Sequence, residues 1–134
     1  MGRLLGLDYG TKRIGIAISD TSQLIATPYE VVPADSVLSV LDAIVVDEGI
    51  TAIVVGLPTS LSGEEGPSAE AARELAERVA AHTGLEVVLV DERFTSKVAE
   101  KAMIKSGMRR DKRRDIRDKM AATVMLQGHL DSLR

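Results

Sequence analysis

The chain has 134 residues and a formal net charge of −3, and 45% of its residues are apolar while only 2% are aromatic. This length is typical of one domain, so we expect residues 1–134 to form a single core of Val, Ile, Leu and Ala. The absence of cysteine excludes disulfides and thiolate metal sites, and no apolar run is long enough to cross a membrane. No signal peptide is recognisable, so we expect a cytoplasmic protein without membrane association.

The chain opens with two apolar runs joined by a short polar turn. Residues 4–8 and 13–18 predict the two strands of a hairpin, with the turn at residues 9–12. Asp8 ends the first strand, where its neighbours are apolar. Because burial of an unpaired carboxylate costs several kcal/mol, roughly, Asp8 is predicted to be either compensated or functional.

The next region predicts a strand, a helix and a second strand. Residues 24–32 read as a strand that is interrupted at Pro28 and therefore bulged or at a sheet edge. Asp35 or Ser36 is expected to cap a helix that ends near Glu48, before Gly49. Residues 51–55 form an unbroken β-branched run, which is typical of a central buried strand.

The second half alternates helices and strands. A polar loop at residues 56–66 precedes a helix over 67–83, which begins at Pro67 and stops at Gly84. Residues 87–90 predict another buried strand. Two further helices are expected, a short one over about 95–105, capped by Thr95 or Ser96, and a long one over about 112–133.

This order of elements predicts an α/β fold with one mixed five-stranded sheet. Three antiparallel strands come first, the later strands are parallel, and helices cover both faces. The pattern is that of ribonuclease H-like proteins, although other α/β folds share the same order.

Several acids occupy similar places in the predicted elements. Asp8 ends the first strand, Asp91 and Glu92 end the last, and Asp118 lies in the final helix, before small residues that would let this helix approach the sheet. If the two strands are neighbours or one strand apart, these acids converge at one edge. Oxygen donors without His or Cys suit Mg²⁺ or Mn²⁺.

A purely structural interpretation of the same acids stays open. Asp8 could cap the turn, Asp91 or Glu92 could pair with Arg93, and Asp118 could pair with a neighbouring base. For any one acid this is the better interpretation. For three acids at matching element ends, a site is favoured.

Positive charge is concentrated in one segment despite the negative total. Residues 93–119 contain eleven Lys or Arg against four acids, so the segment carries +7 and the rest of the chain −10. Such a face attracts phosphate, although a solvated helix face would look the same in sequence.

Four blocks together resemble the YqgF (RuvX) family of Holliday junction resolvases, relatives of RuvC in the ribonuclease H-like superfamily. They are GLDYGTKRIG at 6–15, GLP at 56–58, DERFTS at 91–96 and DKMAA at 118–122, leading into LQ at 126–127. The resemblance covers nearly the whole chain. It implies a metal-dependent nuclease with Asp8, Glu92 and Asp118 as acidic triad and metal ligands, and it selects Glu92 over Asp91.

The resemblance also implies which residues contact substrate. Lys12, Arg13 and Arg93 would contact phosphate beside the triad, with Thr95 close by. The basic residues near the last helix, including Arg109, Arg110 and Arg113, would form a phosphate track with salt-sensitive binding. Phe94, Ser96 and Ser62 depart from the usual family residues, and none of these departures touches the triad.

The expected function is a Mg²⁺-dependent nuclease that processes the 5′ end of pre-16S rRNA, with ribosomal particles as further partners. Resolution of branched DNA is the main alternative, and it requires two active sites and hence a dimer. The sequence shows no obvious exposed apolar stripe that would form a dimer interface, so we expect a monomer or weak homodimer.

A non-catalytic, nucleic-acid-binding ribosome-assembly factor is the other alternative. A phosphate loop of the sugar-kinase type is disfavoured because the chain has no second such loop.

Overall fold

A computed structural model describes residues 2–10, 12–57, 66–91 and 110–133, and it describes side chains of the last range from Met120 onward. The chain forms one five-stranded sheet in the order β3-β2-β1-β4-β5. The strands are β1 (Arg3–Asp8), β2 (Arg13–Ser19), β3 (Ala26–Pro33), β4 (Ile50–Leu57) and β5 (Glu86–Asp91). The described helices are α1 (Val37–Glu48), α2 (Pro67–Thr83) and α3 (Arg110–Ser132).

The predicted fold class is confirmed. β1 pairs antiparallel with β2 and β2 antiparallel with β3, whereas β1 pairs parallel with β4 and β4 parallel with β5. β1 therefore lies at the centre of the sheet. The carboxyl ends of the three parallel strands, β1, β4 and β5, lie along the same edge of the sheet.

Two cores fill the space between sheet and helices. On one face, alternate residues of β1 such as Leu5 and Leu7 are fully buried in a cluster with α1 and α2 residues. On the other face, Leu4 and Val54 pack with Leu126 and Leu130 of α3. Burial of these apolar side chains, at roughly 1.5–3 kcal/mol each, is the main force that holds the helices to the sheet.

The third strand is at an edge and is bulged, as Pro28 predicts. Its register against β2 shifts between Ile16, which pairs with Glu30, and Ala17, which pairs with Pro28. The extra residue, Tyr29, is accommodated there because the edge strand has a partner on one side only.

The start of α1 differs from the prediction. Neither Asp35 nor Ser36 forms a capping hydrogen bond from its side chain, because a 3₁₀ turn at Ala34–Ser36 leads directly into the helix. The Ser36 hydroxyl instead donates to Asp35 Oδ1 at 3.3 Å. The helix ends are as predicted: Gly49 and Gly84 adopt left-handed φ values of 64° and 72°.

The later elements agree with the prediction in position but not in burial. β5 was expected to be buried, whereas Val87, Val88, Leu89 and Val90 are only half-buried. The reason is topological, because β5 pairs with β4 alone at the second edge of the described sheet. The predicted helix over 95–105 and most of the loop over 56–66 lie outside the described residues.

In the part of the chain that the structure describes, no helix combines the length and the apolar character that crossing a lipid bilayer requires.

Candidate active site

Asp8 is the last residue of the central strand and is half-buried. It pairs laterally with Gly15 on β2 and with Gly56 on β4. Residues that pair across strands point to the same face of a sheet. The residues directly opposite Asp8 on both neighbouring strands are therefore glycines, which carry no side chain.

The face to which Asp8 belongs follows from the alternation along β1. Leu4 packs in the α3 cluster, and a Cβ atom at Gly6 would stand 3.1 Å from Leu126 Cβ, so both positions face α3. Asp8 follows Gly6 by two residues and shares that face, because side chains of a strand alternate with period two. This close approach of the last helix was predicted from its small residues, and Ala121 and Ala122 are fully buried.

Helix α3 runs antiparallel to β1. Its His129 and Leu133 line a groove with Leu4 and Glu86, near the start of the strands. One or two turns earlier, Met125 and Leu126 lie against Gly6, which is further along β1. The N-terminal half of α3 therefore lies toward the edge at which Asp8 is found.

Asp118 belongs to this half of α3. It precedes Leu126 by eight residues, a distance of about 12 Å along a helix axis. Its backbone is helical, and its side chain lies outside what the structure describes.

The register of β5 bears on the choice between Asp91 and Glu92. Gly56, the lateral neighbour of Asp8, pairs with Val90, and Leu57 pairs with Asp91. Val90 packs on the α3 cluster, whereas Leu57 belongs to the opposite core. Asp91 thus falls on the face opposite to Asp8. Glu92 lies outside the described residues.

The turn after Asp8 carries two of the predicted phosphate contacts. Lys12 is exposed and Arg13 is half-buried. A Cβ atom at Gly10 would collide with the carbonyl oxygen of Arg13, so the tight turn requires glycine there. The turn therefore holds both cations close to the edge at which β1 ends.

The structure describes less of the other residues that were predicted to contact substrate. Arg93, Thr95 and Arg109 lie outside the described residues. Arg110 and Arg113 lie in the first turn of α3, and their side chains are not described.

Among the described residues, no group of three His, Asp or Glu side chains that could hold a metal is present. The His82 side chain is 37% exposed, and its Nε2 atom lies 2.8 Å from Asp42 Oδ1. Met125 is 3% exposed in the α3 cluster.

Sequence reasoning did not assign a role to Gly15 and Gly56. Both occur in blocks that it singled out, GLDYGTKRIG and GLP. Their place beside Asp8 depends on the register of three strands, and sequence spacing does not specify that register.

Comparisons with known proteins identify the relatives of the chain. The family model "RuvX: Holliday junction resolvase" matches residues 2–132. A protein of Acidiphilium cryptum, named "Putative pre-16S rRNA nuclease", is 44% identical and aligns over 98% of this chain and 85% of its own length. A relative with the same name in Symbiobacterium thermophilum is 43% identical over 97% of this chain and 92% of its own.

Solved structures share the fold at low sequence identity. RuvC of T. thermophilus, in complex with a Holliday junction substrate, aligns with a TM-score of 0.60 and 16% identity over 99% of this chain and 96% of its own. The Fowlpox virus resolvase, also in complex with junction DNA, aligns with a TM-score of 0.54 and 10% identity over 98% of each chain. The chain therefore belongs to the RuvX family, and with it to the nucleases of ribonuclease H-like fold, whose substrates are nucleic acids.

Proposed function

We propose that this protein is a divalent-metal-dependent nuclease that trims the 5′ end of pre-16S rRNA in the cytoplasm. Asp8, Glu92 and Asp118 are its metal ligands and catalytic groups. The observation that carries this proposal is the placement of Asp8 at the carboxyl end of the central strand, on the face toward α3. The relatives that are more than 40% identical over nearly their whole length favour the ribosomal substrate.

The residues fit a magnesium or manganese ion. Asp8 is half-buried, and all three proposed ligands offer carboxylate oxygens, which hard cations prefer. The alternation in β5 favours Glu92 over Asp91, because Val90 shares the face of Asp8 and Asp91 does not. The direction of α3 favours Asp118 as the third ligand.

The metal would supply a polarised water and would stabilise the oxygen that leaves the phosphorus atom. The chain itself positions the substrate. Gly15 and Gly56, directly opposite Asp8 on the two neighbouring strands, carry no side chain, which favours the approach of a phosphate group. Lys12 and Arg13 attract that phosphate from the adjacent turn.

The basic track extends the binding surface toward α3. We assign Arg109, Arg110 and Arg113 to this track, and Arg93 and Thr95 to substrate contacts beside the triad. All five belong to a segment that carries seven excess positive charges. Contacts of this kind bind the phosphate backbone without sequence readout, so the affinity should fall steeply with salt.

Resolution of four-way DNA junctions is the second candidate. The description of the matched family favours it. Junction resolution requires two active sites related by a twofold axis, whereas trimming of a single RNA end requires one. A monomer or weak homodimer fits the first candidate better.

The test compares both substrates under identical conditions. A 5′-labelled pre-16S rRNA fragment and a labelled four-way junction are incubated with the protein, with Mg²⁺ or with chelator. The variants are Asp8→Asn and, as a matched control, Asp47→Asn at an exposed position of α1. We expect cleavage of the RNA with Mg²⁺ only, a loss of at least a hundredfold in Asp8→Asn, roughly as for other essential groups, and normal cleavage in Asp47→Asn.

Other outcomes decide between the candidates. Cleavage of the junction alone would assign the protein to DNA. Cleavage that survives Asp8→Asn would exclude the proposed metal site. Tight RNA binding without cleavage of either substrate would identify a non-catalytic assembly factor.

A further inference from the structure

A pocket of about 280 Å³ opens on the face of the sheet opposite to α3. Its lining includes the apolar residues Ile14 and Leu75 and the aromatic residue Tyr9. The volume lies just below the roughly 300 Å³ at which pockets for drug-sized ligands begin. A ligand with one planar ring system would fit a pocket of this volume.

The pocket is adjacent to the proposed catalytic edge. Tyr9 follows Asp8 directly, and consecutive Cα atoms are about 3.8 Å apart. Asp8 belongs to the α3 face, whereas Tyr9 packs on the core beneath α1 and α2. A strand of nucleic acid that crosses this edge of the sheet can therefore reach both residues at once.

The walls of the pocket are held by the backbone. The amide of Ala34 donates a hydrogen bond to the carbonyl oxygen of Lys12 at 2.9 Å. This bond fixes the turn that follows Asp8 against the 3₁₀ turn at Ala34–Ser36. Helix α2 also lines the pocket, and its Leu75 is buried against the sheet.

The rim of the pocket carries charge of both signs. Asp35 projects from the 3₁₀ turn, and Glu74 and Arg78 project from α2. All three residues are exposed. Two carboxylates beside one guanidinium disfavour a phosphate inside the pocket, while they offer acceptors to N–H donors and leave one cation for a phosphate at the rim.

We propose that this pocket holds a nucleobase of the substrate strand, next to the phosphate at Asp8. Tyr9 stacks on the base, and the carboxylates of Asp35 and Glu74 accept hydrogen bonds from its amino group. Arg78 contacts the adjoining phosphate. The pocket therefore prefers adenine, guanine or cytosine to uracil, which has no exocyclic amino group. This inference rests on the proposed function, whose substrate is a nucleic acid.

A basic side chain of a partner protein is disfavoured as the occupant. It would satisfy the carboxylates, but it would lie beside Arg78, which repels it. The test includes this ligand as a competing outcome.

The test measures binding without cleavage. ¹⁵N-labelled protein is titrated in chelator with the trinucleotides AAA and UUU, and amide shifts are followed at Ile14, Ala34 and Leu75. We expect shifts at these residues with AAA and at least fivefold weaker binding of UUU. Tyr9→Leu should weaken AAA binding about tenfold or more, as loss of a stacking platform does, and Tyr9→Phe should restore it.

A matched pair of variants isolates the carboxylate. Glu74→Gln should reduce the preference for AAA over UUU. Glu77→Gln changes the same residue type on α2 at an exposed position that does not line the pocket, and it should leave the preference intact. The amide spectra themselves report whether each variant is folded.

Three results would overturn the inference. They are equal shifts with both trinucleotides, shifts confined to residues outside the pocket, and saturation by an arginine-containing peptide in place of RNA. The titration contains no metal and measures binding alone, so its outcome does not depend on whether the protein cleaves RNA. A failure of cleavage is thereby distinguishable from a failure of the pocket.

Discussion

Gly6 of β1 lies directly against Leu126 of α3: a Cβ atom at Gly6 would stand 3.1 Å from Leu126 Cβ and 3.4 Å from Met125 Cε. Because the glycine has no side chain, the helix axis can approach the central strand closely. The same helix carries Asp118 two turns earlier, so the separation at Gly6 sets how near that end of α3 comes to Asp8.

Substitution of Gly6 should therefore impair activity through the helix. Gly6→Ala requires α3 to move by a few tenths of an ångström, and Gly6→Val requires more. We expect a graded loss of RNA cleavage, larger in Gly6→Val, with a smaller loss of Tm. Gly128→Ala on α3 is the control, because a Cβ atom there meets nothing within 4 Å. Full activity of a folded Gly6→Val variant would show that the close approach is not needed.

A second prediction concerns the hydroxyl of Ser19, which is 1% exposed. It accepts a hydrogen bond from the Leu4 amide at 2.8 Å and donates one to the Asp20 carbonyl at 2.9 Å. Ser19→Ala leaves a buried amide without this partner, which costs about 1–3 kcal/mol. Urea unfolding should detect this loss. Ser39→Ala, at an exposed serine of α1, should change the free energy of unfolding by less than about 0.5 kcal/mol, and equal effects would contradict the prediction.

A third prediction concerns Gln127, which joins α3 to the loop between β2 and β3. Its Oε1 accepts from the Ala26 amide at 2.8 Å, and its Nε2 donates to the Leu24 carbonyl at 2.9 Å. Gln127→Leu removes both bonds and should destabilise the protein by about 1–3 kcal/mol. Gln127→Glu keeps the acceptor for Ala26, but it sets a carboxylate oxygen against the Leu24 carbonyl and the Asp131 carboxylate, so it should destabilise the protein as well. Hydrogen exchange of the Ala26 amide is the direct measurement, and unchanged protection in Gln127→Leu would refute the role of this side chain.

A fourth prediction concerns acid stability. The backbone amides of Ile25 and Leu24 donate to the Asp20 carboxylate, and they lower its pKa below the ordinary value of 3.8. The unfolded state thus binds the proton more readily, so this contribution to stability is present above pH 3.8 and is lost as the pH falls through the folded pKa.

Asp20→Asn should remove that pH dependence. Unfolding by urea is measured at neutral pH and at several values near and below pH 3.8. The difference in stability between the unmodified protein and Asp20→Asn should shrink as the pH falls. Asp47→Asn controls for the loss of one negative charge. A difference that stays constant over this range would contradict the assignment.

The sequence predicted those features that depend on local chemistry. Pro28 indicated an edge strand with a bulge, and Gly49 and Gly84 indicated helix ends, because each residue restricts or frees the backbone at its own position. The position of Asp8 at the end of a strand followed in the same way from the apolar run before it.

Features that depend on which strands become neighbours could not be predicted. Gly15 and Gly56 flank Asp8 only because β2 and β4 pair on either side of β1 in one register. Asp91 and Glu92 could not be distinguished by strand alternation while the face of each strand was unknown. The cap expected at Asp35 or Ser36 was wrong because a 3₁₀ turn replaced the extended backbone that a capping residue needs.

The edge formed by β3 limits how the sheet can grow. Pro28 and Pro33 supply no amide hydrogen, and the bulge interrupts the spacing of the remaining donors and acceptors. A further strand therefore cannot pair along the whole of β3 in register, and β5 is the other edge strand of the sheet that the structure describes. If two copies associate through their strands, contact forms next to the strand that leads to Glu92. Self-association along this lateral edge would then place the second copy beside the carboxyl end of β5, next to the proposed catalytic site.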